Sequence, residues 1–116
     1  MSEANCLFCK IRDQKIPADV VYRDEHVLAF NDISPQAPLH VLVIPLRHIA
    51  TLVDARPADA EILGQLTLTG ARLATEAGFA ESGFRVVMNT GPAAGQSVFH
   101  IHLHVLGGRV LQWPPG

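Results

Sequence analysis

The segment His100-Ile101-His102-Leu103-His104-Val105 constrains this chain more than any other feature. Histidine and apolar residues alternate strictly, and a β-strand is the regular structure that sends alternate side chains to opposite faces. Such a strand buries Ile101, Leu103 and Val105 and sets His100, His102 and His104 on the other face, about 6–7 Å apart in succession. One histidine there is an ordinary solvated residue. Three in strict alternation are not, because Thr, Lys or Glu serves a solvated face as well. Neutral imidazole is a competent nucleophile towards phosphorus. Crowded imidazoles also repel a second proton, so the cluster titrates as a coupled set and holds at least one ring neutral at pH 7. One ring can then attack while another supplies a proton or stabilises charge.

The rest of the chain supplies a setting for that strand. Leu7, Phe8 and Ile11 recur at helical spacing between Asn5, a candidate N-cap, and Arg12, and Pro17 limits the helix. Val20–Tyr22 and Val27–Asn31 read as a hairpin around the turn Arg23–His26. His40–Ile44 alternates, with His40, Leu42 and Ile44 on one face and Val41 and Val43 on the other. Pro57 opens a long helix that runs to Ala77 before Gly78, with Ile62, Leu63, Leu66, Gly70, Leu73, Ala74 and Ala77 along one stripe. Phe84–Met88 and Val98–Leu106 form a second strand pair around the Gly-rich loop Asn89–Ser97. Strands outnumber helices and adjoin one another, so the class is α+β, an antiparallel sheet with helices packed on one face.

Length and composition set limits. At 116 residues without a change of composition, the chain reads as one domain over 1–116, with the short N-terminal helix and a tail, 107–116, included. Hydrophobic residues are 48% and charged residues 17%, against about 25% charged in average globular usage, so a buried subunit interface is expected. A net charge of −2 without a Lys/Arg cluster excludes a duplex nucleic-acid binder, which needs a basic footprint. The N-terminus lacks the pattern of a secretory signal and no run reaches the ~18 apolar residues of a membrane span, which points to a cytoplasmic protein without membrane attachment.

Other candidates are ambiguous alone. Cys6-Leu7-Phe8-Cys9 is inert packing, a redox pair or half of a zinc site; a redox pair is expected in a βαβ unit, which this pattern lacks. Asp32 is more often a turn residue than a ligand. The loop with Gly91, Gly95 and Ser97 can cradle a phosphate, yet it leads into a strand and has no Gly-Lys-Ser/Thr end, so it is not a P-loop. Asn89 and Gln96 flank it as neutral donors. A catalytic metal on His100, His102 and His104 together is strained, since the first and last lie about 13 Å apart. His26, in a turn, is assigned nothing.

The alternating histidines, together with Asn31-Asp32-Ile33-Ser34-Pro35-Gln36-Ala37-Pro38, Val43-Ile44-Pro45, Gly95-Gln96-Ser97-Val98-Phe99 and Trp113-Pro114-Pro115-Gly116, resemble the histidine-triad (HIT) family, Hint branch, over nearly the whole chain. The resemblance implies a five-stranded antiparallel meander with one long and one short helix, continued across a homodimer. It implies a hydrolase of purine nucleoside phosphoramidates, of the adenosine 5′-phosphoramidate or AMP–lysine type, acting through a nucleotidyl-histidine intermediate. His102 would be the nucleophile, its other ring nitrogen oriented by a backbone carbonyl. His104 and His40 would line the phosphate, with His100 and Ser97 beside them. Asn89, Gln96 and Ser97 match positions that hydrogen-bond the phosphate or leaving group, and Asp32 matches the carboxylate that accepts the ribose hydroxyls. Leu7, Phe8, Ile11, Ile16, Phe30, Ile33 and Leu42 match the purine pocket, and Asn31 stands where other members carry histidine. Cys6, Cys9, His48 and His100 match a structural zinc set that other Hint proteins lack, so no cofactor is required for the chemistry. Trp113 belongs to a docked tail near the site. Two other functions fit less of the pattern: a nucleotide-binding regulator without turnover, and a dinucleoside polyphosphate hydrolase, which the short chain and its terminus disfavour.

Overall fold

The computed structural model describes residues 3–116. Five strands, β1 (Val20–Arg23), β2 (Val27–Asn31), β3 (Leu39–Pro45), β4 (Phe84–Val87) and β5 (Leu103–Gly107), form one sheet in the order β1-β2-β3-β5-β4. Every neighbouring pair is antiparallel. The expected meander therefore holds for β1 to β3 only. The chain then crosses through a long helix to the far edge, forms β4, and returns as β5 into the place beside β3.

Two helices, α1 (Leu7–Arg12) and α2 (Ala60–Glu76), cover opposite faces rather than one. Val27, Ala29, Val41, Val43, Leu103 and Val105 pack with Leu66 and Ala74 of α2. Leu28, Phe30, Leu42 and Ile44 pack on the other side with Phe8 and Cys9 of α1. The reason lies in β2: Val-Leu-Ala-Phe has no polar alternate, which is how a strand reads when both of its faces are covered.

Local chemistry adjusts three sequence-based expectations. The N-cap of α1 is Cys6 rather than Asn5, because the Cys6 Sγ accepts the Cys9 backbone N–H at 3.3 Å. The helix expected from Pro57 begins as a 3-10 turn, Pro57–Asp59. There the buried Asp59 carboxylate accepts the Arg56 N–H at 2.8 Å and pairs with Arg47. At its other end α2 stops at Glu76, so Ala77 is an exposed cap rather than part of the buried stripe.

The last strand starts late. Regular β5 begins at Leu103, where it pairs with Val43, so His100 to His102 precede it; the Ile101 N–H donates instead to the Ile49 carbonyl at 2.8 Å. The alternation nevertheless persists, because Ile101 joins Leu103 and Val105 under α2. Among the described residues no helix is long and apolar enough to cross a membrane.

Gly70 sets the depth at which α2 lies on the sheet. A Cβ there would meet Val105 Cγ2 at 2.8 Å and Leu103 Cδ2 at 3.1 Å, whereas one at Gly64 meets nothing within 4 Å. Gly70→Ala is expected to destabilise by about 1–3 kcal/mol through overpacking. Gly64→Ala should stabilise by roughly 0.5–1 kcal/mol through helix propensity. Urea denaturation of both variants checks the pair, and equal effects would contradict this packing.

Candidate active site

Sheet register brings the histidines together. On β3 and β5 the pairs His40–Leu106 and Leu42–His104 lie side by side, so His40 and His104 are diagonal neighbours on one face. Their rings meet end to end, with His40 Nε2 at 2.9 Å from His104 Nδ1. Which nitrogen carries the proton follows from a third bond: the Gln36 backbone N–H donates to His40 Nδ1 at 3.0 Å. A nitrogen that accepts is bare, so His40 is protonated at Nε2 and donates to His104 Nδ1, leaving the proton of His104 on Nε2. Burial, followed by the neighbouring His102 and His40, pushes His104 down to about 4 and keeps it neutral.

His102 is arranged in the opposite tautomer. Its Nδ1 lies 2.9 Å from the His100 carbonyl oxygen, which can only accept, so Nδ1 is protonated and Nε2 is a bare lone pair. Burial lowers the proton affinity of the ring; the His100 carbonyl and the Asp32 charge oppose that shift without reversing it. Phe8 sets its edge against His102, with ring centroids 5.0 Å apart at 89°. Between His102 and His104 the centroids are 5.1 Å apart.

A second cluster lies directly behind the first. The His100 Nδ1 is 3.4 Å from Cys6 Sγ, 3.5 Å from Cys9 Sγ and 3.2 Å from His48 Nδ1, and Cys9 Sγ is 3.4 Å from His48 Nδ1. All four donor atoms lie within 4.8 Å of one another. Ligands at about 2.0–2.3 Å from a tetrahedral zinc are themselves about 3.3–3.8 Å apart, so two thiols and two imidazoles in this arrangement fit that ion. His100 Nε2–H donates to the Pro45 carbonyl at 2.8 Å, which aims the Nδ1 lone pair at the cluster. Burial alone works against charge here: it is the largest cause pushing the Cys9 thiol up to about 12 and the His100 ring down to about 4. A cation would reverse that balance at the sulfurs. Asp32, His40 and His104 are also close together, but the two ring nitrogens face each other along a hydrogen bond and converge on no common point.

Other residues singled out from the sequence fall in several environments. Phe8, Phe30 and Leu42 form the apolar floor, with Ile11 partly buried beside them. Leu7 and Ile33 are exposed, Ile33 completely, and Ile16 is half-buried. Asn31 donates from its amide to Asp19 at 2.8 Å. Asp32 closes a turn by accepting the Ser34 N–H at 2.8 Å, while its other oxygen sits 3.4 Å from His40 Nε2. Ser97 is exposed and Asn89 half-buried. Gln96 is buried, and its amide is spent on the loop: Oε1 accepts from Gly91 N–H, and Nε2 donates to the Ala50 and Val98 carbonyls. Trp113 is 81% exposed, whereas Pro115 lines a cleft beside His104.

That cleft contains two residues that sequence reasoning passed over, Arg85 and Arg109. A signal for the first was present, since Arg85 interrupts the run Phe84-Arg85-Val86-Val87. The role of Gln36 is carried by its backbone N–H, which no side-chain pattern reports.

The HIT domain model matches residues 13–111. An uncharacterized HIT-like protein of Synechococcus elongatus is 53% identical over 116 residues, the whole of both chains. A HIT family hydrolase from Legionella pneumophila superposes with a TM-score of 0.95 at 52% identity, over 97% of this chain and 100% of that one. A Zn-bound histidine triad family protein from Mycobacterium smegmatis superposes at 0.80 with 40% identity, over 93% of this chain and 78% of its own. Matched by the family model over most of its length and by relatives in sequence and fold, the chain belongs to the HIT domain family and shares the fold of that family's hydrolases.

Proposed function

We propose that this protein is a Hint-type hydrolase that cleaves the P–N bond of purine nucleoside phosphoramidates by transferring the nucleotidyl group to Nε2 of His102. The observation that carries the reading is the state of His102, a buried neutral ring with Nδ1–H tied to the His100 carbonyl and a bare Nε2 beside His104. Nε2 attacks phosphorus and forms a P–N bond as the bond to the leaving amine breaks. The departing electron pair stays on the amine nitrogen, which takes a proton from solvent. His102 gains positive character in this step, and its Nδ1–H bond to the His100 carbonyl strengthens with it. Water then attacks phosphorus, the P–Nε2 bond breaks with its electron pair returning to the ring, and the surplus proton goes to solvent with the nucleoside monophosphate.

His104 donates a hydrogen bond in this scheme rather than a proton. A neutral imidazole is too weak an acid to release its last N–H, but Nε2–H aimed at a phosphoryl oxygen stabilises the charge that develops there. Asn89 and Ser97 add neutral donors on the leaving-group side. The purine lies against Phe8, Phe30, Leu42 and Ile11, edged by Leu7, Ile16 and Ile33, and the exposure of Ile33 and Leu7 is apolar surface that a base would cover. Asn31 and Asp32 border the ribose.

Cys6, Cys9, His48 and His100 hold a structural zinc in this reading. Four protein ligands close the coordination shell, so the ion supplies stability and pins α1 to the histidine segment. The free edge of β4, with Val86 exposed, and the exposed Leu68 of α2 join two copies into a homodimer, and Trp113 docks on the partner.

His102→Ala should lose more than about 10³-fold in turnover of adenosine 5′-phosphoramidate while still binding AMP, and Ser97→Ala about 10²-fold or less. Adduct trapped by acid quench should map to His102 by mass spectrometry; wild-type turnover in His102→Ala, or adduct elsewhere, would refute the assignment. Elemental analysis should find near one zinc per chain, with Cys6→Ser lowering both occupancy and Tm; metal-free protein of equal Tm would leave packing thiols. Sedimentation across a dilution series should show a dimer at micromolar concentration, and truncation before Trp113 should change kcat/KM differently for different leaving groups.

A further inference from the structure

We infer that Arg85 and Arg109 form a subsite for a carboxylate on the leaving amine, so that the favoured substrates are phosphoramidates of amino-acid-like amines. The inference rests on the phosphoramidase reading above and adds the chemistry of the leaving group. A cleft of about 280 Å³ is lined by His40, His104, Asn89, Arg85, Arg109 and Pro115. The two histidines and the two guanidiniums thus border one space.

Register fixes the distance. Arg85 pairs with Leu106 and Val87 pairs with His104, so Arg85 shares the His104 face as its diagonal neighbour. Diagonal neighbours in an antiparallel sheet stand about 7–8 Å apart. A group bonded to phosphorus at His102 and His104 thus reaches Arg85 after a few further bonds, which is the span of a short amino acid.

Charge supplies the second observation. Arg12, Arg47 and Arg72 each pair with a carboxylate. Among the described residues Arg23, Arg56, Arg85 and Arg109 have none within 4.0 Å, and of these Arg85 and Arg109 line one cleft. Their acceptors are backbone carbonyls: Gln112 at 2.7 Å for Arg85, and Gln36 at 2.8 Å and Val110 at 3.0 Å for Arg109. A guanidinium carries five N–H donors, so within one protomer these bonds orient each group and leave most of its donors and all of its charge unanswered. The chain as a whole has a net charge of −2, which makes two unmatched cations in one cleft a local feature rather than a general excess. Planar forks of this kind are complementary to a carboxylate. The amide nitrogen that a phosphoramidase releases is the atom from which such a carboxylate would hang.

The test compares adenosine 5′-phosphoramidates of β-alanine and of β-alaninamide, which differ in the carboxylate alone. Wild-type kcat/KM should favour the β-alanine compound by about tenfold, as for one charge-assisted contact, and the preference should shrink as salt is raised. Arg85→Met should bring the ratio near one while leaving the β-alaninamide rate within about twofold, and Arg85→Lys should retain part of the preference. Because Arg85 also anchors the tail at Gln112, a role through the tail alone would give Arg85→Met the substrate ratio of the variant truncated before Trp113 and no rescue by lysine, whereas a charge contact keeps part of the preference in Arg85→Lys. A wild-type ratio at or below one, or a ratio unchanged in Arg85→Met, overturns the subsite. If neither compound is turned over, the phosphoramidase reading fails, and calorimetric titration of both into His102→Ala still reads the subsite. Tighter binding of the β-alanine compound supports it and equal affinity overturns it.

Discussion

The hydrogen bond from His102 Nδ1–H to the His100 carbonyl is the interaction on which the site depends. An imidazole in water exchanges freely between tautomers and gains a proton near pH 6.5. Here a backbone oxygen that only accepts selects one tautomer, and burial disfavours the charged form. Both effects leave Nε2 bare. The bond is also local, spanning two residues, so it forms wherever the chain enters β5 in this conformation.

His100 therefore does two things with two parts of itself. Its carbonyl orients the His102 ring, and its own ring faces Cys6, Cys9 and His48. Phe8 sits between the two cysteines in sequence and places its edge on both His100 and His102. The cysteine cluster, the short helix and His102 are thus packed against one another. A few ångströms away, the His40–His104 pair uses the opposite tautomer, set by the Gln36 backbone N–H. The result is a face with one bare nitrogen and one N–H, the pairing that the proposed reaction uses to attack phosphorus and steady its oxygens.

The elements most legible in the sequence were those with strong periodicity. Periodicity places β2 at Val27–Asn31 and separates the two faces of β3, and the stripe of α2 through Leu66, Gly70 and Ala74 is buried. The alternation of His100, His102 and His104 named the candidate face, although regular strand begins only at Leu103. Illegible features depended on tertiary choices. The return of β5 between β3 and β4 follows from which edge α2 reaches, and periodicity carries no such information. Asn5 lost the cap to Cys6 because a thiol in the right place accepted the bond. Gln96 looked like a free donor until its three partners were visible. Arg109 reaches the site from the tail, and no local pattern connects it to His40.

The state of His102 is the central claim, and the ¹⁵N–¹H correlation spectrum of the histidine rings in the intact protein at pH 7 tests it most directly. A neutral His102 with its proton on Nδ1 and an Nε2 shift typical of a bare ring nitrogen is the expected result. A protonated ring, or the tautomer with its proton on Nε2, would contradict the account, because neither leaves a lone pair on Nε2.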